Sequence, residues 1–144
     1  MDVSELRKRI LRGIEDAKKH AAARRVVVDE ARGEYERFLG GVAVPMVRQA
    51  ADVLKAAGHP CDVHAPAESV RLVAEASPHT YLELELDVTK PRPQVLGRVS
   101  LARGRQGQIV EERALGNGKD VAALTEDDVS AFLAAEIPRL ILKV

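Results

Sequence analysis

The chain has 144 residues, is 46% hydrophobic and 31% charged, and balances 22 Lys and Arg against 22 Asp and Glu. Those figures fit one domain with a real core, exclude a disordered chain, and remove any global pull toward nucleic acid or anionic lipid. The single cysteine, Cys61, allows no internal disulfide and points to a reducing compartment.

Met1-Asp2-Val3-Ser4-Glu5 leads straight into a charged amphipathic pattern, without the apolar stretch of a signal peptide, and no apolar run approaches the roughly 20 residues that span a bilayer. The reading is a cytoplasmic protein with no membrane partner. Val3, Leu6, Ile10, Ile14, Ala17 and Ala21 follow one another at steps of three and four, the spacing of one helix face. The stripe continues through Val28, Ala31, Tyr35, Phe38 and Val42, with charged residues between to supply a polar face. Ser4 is placed to cap the start.

Gly40-Gly41 and Pro45 interrupt the pattern. Interior proline costs a helix about 3 kcal/mol. The apolar positions nevertheless resume as Met46, Ala50, Val53 and Ala57, in phase with Val42. The spacing therefore predicts one long helix over residues 1–58, kinked near 41–45 and ending at Gly58 with Pro60 beyond. A chain reversal at 40–45, giving two antiparallel helices, is the alternative. Residues 3–40 alone would make a helix about 57 Å long, against a domain about 30 Å across. Some of the helix should project, and a second copy of the chain is the simplest cover for its stripe. The residues expected at such an interface are Ile10, Ile14, Ala17, Ala21, Val28, Ala31, Tyr35 and Phe38. Arg24 falls in the seam and spoils a regular coiled coil.

After Gly58 the period changes to two. Strands are expected over 61–65, 69–76, 80–88, 95–103 and 108–115, with turns at Ser77-Pro78, Lys90-Pro91-Arg92-Pro93 and Gly104-Arg105-Gln106-Gly107. In the third, Leu82, Leu84, Leu86 and Val88 face inward and Glu83, Glu85 and Asp87 outward, opposite Arg98, Arg103 and Arg113 on nearby segments. The facing of the last strand is ambiguous, because Ile109 and Val110 compete. Thr125-Glu126-Asp127-Asp128 starts a closing helix over 125–142, which Pro138 should kink or split. The predicted fold class is α+β: a long kinked N-terminal helix and a C-terminal helix packed on a four- to five-stranded antiparallel β-meander (61–115), all one domain over 1–144.

Three features carry candidate chemistry. His59, Cys61 and His64 lie close enough in sequence to hold zinc in a small metal-assisted enzyme, but their spacing matches no established ligand pattern. Glu83, Glu85 and Asp87 have the regular alternation of a solvated strand face. Basic residues outnumber acidic ones eight to four over 1–25 and six to two over 90–113. Those zones could touch nucleic acid or a phosphate ligand, yet no aromatic lies inside them to stack on a base, so nucleic acid is a weak partner. Gly116-Asn117-Gly118-Lys119 lacks the spacing of a phosphate loop. No nucleophile–base pair stands out and no cofactor is implied. The leading expectation is a non-enzymatic interaction or scaffold module acting as a homodimer, with a protein partner also possible.

Overall fold

The computed structural model describes residues 2–105 and 107–142; Gln106 of the expected hairpin loop lies outside them. Helix α1 spans Val3–Phe38, a π-helical segment spans Leu39–Ala43, and α2 spans Val44–Ala56. Together they form one continuous helix about 80 Å long. The chain does not reverse at the glycines. Asp2, not Ser4, is the N-cap: its carboxylate accepts the Ser4 backbone N–H at 3.3 Å. At the other end Gly58 takes φ +86°, and the His59 N–H returns to the Leu54 carbonyl at 2.8 Å. That left-handed close suits a glycine and ends the helix where expected.

The π segment corrects the sequence reading in one respect. Val44 N–H donates to the Leu39 carbonyl, five residues back instead of four. Such a bulge inserts one residue and turns everything beyond it by about 100°. The buried residues before it are Ala31, Tyr35 and Phe38, within it Leu39 and Ala43, and beyond it Val47 and Leu54. Val53, expected on the apolar face, is 68% exposed. The stripe is therefore displaced by one position and does not continue in phase. Pro45 follows directly on the bulge, whose wider turn has already interrupted the regular bonding four residues back, and the two glycines supply the backbone freedom for it.

Five antiparallel strands follow in sequence order, β1 (Cys61–His64), β2 (Ser69–Ala74), β3 (Tyr81–Asp87), β4 (Gln94–Ala102) and β5 (Gln108–Ala114). Helix α3 (Glu126–Ile141) closes the fold. Val70, Leu72, Leu82, Leu84, Val95 and Val99 alternate onto one sheet face, where they join Val47 of α2 and Val129 and Phe132 of α3 in the core. Gly97 lies in that face because Phe132 occupies the space a side chain would need; a Cβ there would sit 2.3 Å from the ring. Thr125 and Asp128 open α3 as anticipated, the Asp128 carboxylate accepting the Thr125 N–H at 2.9 Å. Pro138 does not split the helix, which runs on to Ile141. Both Pro138 and Ala134, whose carbonyl it leaves unbonded, are exposed, so water can take that bond.

Candidate functional site

Every residue from Asp2 to Ala23 is exposed. Among the described residues, the side-chain hydrogen bonds and ion pairs of this stretch stay within it, as with Arg9–Glu5 at 3.9 Å and Lys18–Glu15 at 3.8 Å. The stretch is an arm of α1 that leaves the body. Its tip carries Val3, 80% exposed, and then Leu6, Ile10, Leu11 and Ile14 at 46, 52, 50 and 45%. Ala17 and Ala21 continue the same face and are also exposed.

Arg24 marks the base of the arm. Its guanidinium donates to the carbonyls of Val88, Lys90 and Pro91, which gather at the turn leaving β3. The residue that looked like a fault in a seam is a clamp that fixes α1 to the body. Beyond it the stripe changes partner. Val28 is half-buried, and Ala31, Tyr35 and Phe38 are covered by the chain's own elements. Of the eight residues expected at a dimer interface, those three belong to the monomer core. Ile10, Ile14, Ala17 and Ala21 lie on the free arm, and Val28 at its junction.

The outer sheet face is a grid of charge. Glu83 on β3 stands opposite Arg71 on β2 and Arg98 on β4. Arg71 donates to the Glu83 carboxylate at 2.8 and 2.5 Å, and Arg98 also bonds Glu85 and reaches Glu112 at 2.9 Å. Arg71 further stacks over Tyr81 at 3.9 Å. Glu83 is consequently only 5% exposed, which corrects its reading as part of a solvated face. The signal was present in the sequence as Arg71 and Arg98, but only the strand register shows that they flank Glu83. Arg113, expected in this network, lies on the opposite face, beside Phe132 and 3.4 Å from the buried Glu136. Arg139 joins Glu136 to Glu111, and it holds the Glu111 carboxyl below the usual carboxylate range.

The proposed zinc ligands do not converge. Strand alternation sends Cys61 and His64 to opposite faces of β1, and the Cys61 thiol turns back to the His59 carbonyl at 3.6 Å. Burial, then Asp62 and Glu75, push that thiol up, away from the reactive thiolate. Among the described residues no group of three His, Cys, Asp or Glu is placed to hold a metal ion.

A groove of about 450 Å³ runs between α1 and the β1–β2 loop, lined by Arg32, Tyr35, Pro66, Glu68 and Glu85. The Tyr35 hydroxyl donates to the Glu68 carbonyl at 2.7 Å, and burial, then Glu85, Glu83 and Glu68, raise its pKa. That hydroxyl serves structure; it is neither acid nor nucleophile near neutral pH. In the second basic zone Arg98 and Arg113 are paired as described, while Arg92 reaches Asp120 at 3.4 Å and the Gly118 carbonyl at 2.9 Å. Gly116 and Asn117 adopt left-handed conformations in a tight turn, and Lys119 pairs with Asp128 at 3.0 Å. Among the described residues, no helix is long and apolar enough to cross a membrane.

Comparison with protein-family models, with curated proteins and with solved structures found no match to this chain.

Proposed function

We propose that the protein is a non-enzymatic interaction module that associates with a second copy through its N-terminal arm, leaving two α+β bodies to carry whatever it scaffolds. The observation behind this reading is the exposed apolar stripe of the arm, which none of the described residues covers. Full burial of an aliphatic side chain returns about 1.5–3 kcal/mol, so covering the exposed half returns about 1 kcal/mol for each. Leu6, Ile10, Leu11 and Ile14 from two copies, with Val3 and the alanines, give a gross gain of order 10 kcal/mol. Association itself costs at least about 4 kcal/mol. The balance of at most about 6 kcal/mol supports a weak dimer, with Kd of roughly 40 μM or weaker.

The basic zones support the alternative of a phosphate or nucleic-acid ligand less well. Three arginines of the second zone are spent on carboxylates, and Arg24 of the first on carbonyls. The test is the pair of substitutions Ile10→Glu and Ile14→Glu, made together. Both residues are exposed and outside the core, so the body stays folded. Light scattering should show the dimer fraction abolished, while an unchanged dimer would remove the arm from the account.

A further inference from the structure

The way the body sits on α1 determines how two arms can meet. The stripe of the arm runs into the face that carries the body: Ile14, Ala17 and Ala21 are followed on the same side by Arg24 clamped to the β3 turn, then by buried Ala31 and Tyr35. A parallel pair of arms would bring two bodies to the same end of one seam, where both would have to occupy the space between the helices. An antiparallel pair places them at opposite ends. The free length of the stripe, from Val3 to Ala21, is roughly 30 Å, and the Arg24 clamp stops a second helix from sliding further.

We infer that two copies pair their arms antiparallel over residues 3–21, with Ile10 of each opposite Ile14 of the other and the two-fold axis level with Arg12. The inference rests on the homodimer reading above.

Lys8, Arg9, Glu15 and Asp16 lie on the outer face of the helix, about 100° or more from the stripe, so the placement of the bodies alone sets the orientation. The packing agrees. Ile10, Leu11 and Ile14 collect at the centre, and Ala17 lets the aliphatic stem of Arg7 pass toward solvent.

The experiment uses the full chain with Cys61→Ser and a spin label at Ser4→Cys, with mass measured on the same sample. The antiparallel pair separates the two labels by roughly 24 Å along the axis, a distance that pulsed dipolar spectroscopy resolves. A dimeric mass with that separation is the expected result. A dimeric mass with labels at about 10 Å, seen as spectral broadening, means parallel arms and overturns the orientation while keeping the dimer. A dimeric mass with labels beyond about twice the expected 24 Å means that another surface associates, which overturns both. A monomeric mass overturns the homodimer reading on which the inference stands.

Discussion

Deleting Gly40 tests whether the π segment is a one-residue insertion. Gly40 is exposed, and a Cβ placed on its backbone would meet nothing within 4 Å, so its removal costs no packing of its own. With one residue fewer, the helix can pass from Phe38 to Val44 with ordinary α geometry while Ala43, Val47 and Leu54 still face the core. Pro45 then falls inside a regular helix, with Gly41 still four residues behind it and its ring against that carbonyl. The deletion alone should cost about 3 kcal/mol. Adding Pro45→Ala to the deletion should return most of that loss. Inserting an alanine after Gly41 has the opposite effect, turning Val47 and Leu54 out of the core at about 1.5–3 kcal/mol each. Urea unfolding followed by circular dichroism measures all three. The reasoning fails if the deletion with Pro45→Ala is as unstable as the insertion, because the phase of α2 would then not depend on a single residue.

Two further outcomes follow from the body. Gly97→Ala should lower stability by about 1–3 kcal/mol, since the new methyl would lie 2.3 Å from the ring of Phe132, itself only 2% exposed; Phe132→Leu in the same chain should recover part of it, and an unchanged urea midpoint for Gly97→Ala would contradict the close approach. The Thr125 N–H, then Lys119, hold the Asp128 carboxyl below its ordinary value. A carboxyl depressed by folding adds stability that is present above its unfolded pKa near 3.8 and is lost as pH falls through its folded value. Asp128→Asn should therefore cost about 1 kcal/mol at neutral pH and progressively less below pH 4, and a loss that is the same at pH 7 and pH 2.5 would refute the linkage.

Much of this architecture was legible in the sequence because its periods are clean. The alternation from Leu82 to Asp87 left one facing for β3, and the acids after Thr125 marked the start of α3. The projection of α1 followed from length alone. The phase of α2 was not legible, because Val42, Val44 and Met46 offer apolar residues to either face, so a one-residue slip leaves the pattern nearly unchanged. Gly40, Gly41 and Pro45 signalled a disturbance without its sense. The role of Arg24 was hidden for a different reason: its carbonyl partners are 64 or more residues away and carry no sequence signature. The burial of Glu83 needed the register that sets Arg71 and Arg98 on either side of it. At the candidate site, the free half of the interface could not be told from the core half, since the same period runs through both.

Sedimentation equilibrium of the unmodified chain between about 5 and 500 μM measures the central claim most directly, spanning an affinity of tens of micromolar. The weight-average mass should rise from 15.7 kDa toward twice that value across the series. A mass that stays at 15.7 kDa at every concentration would contradict association through the arm.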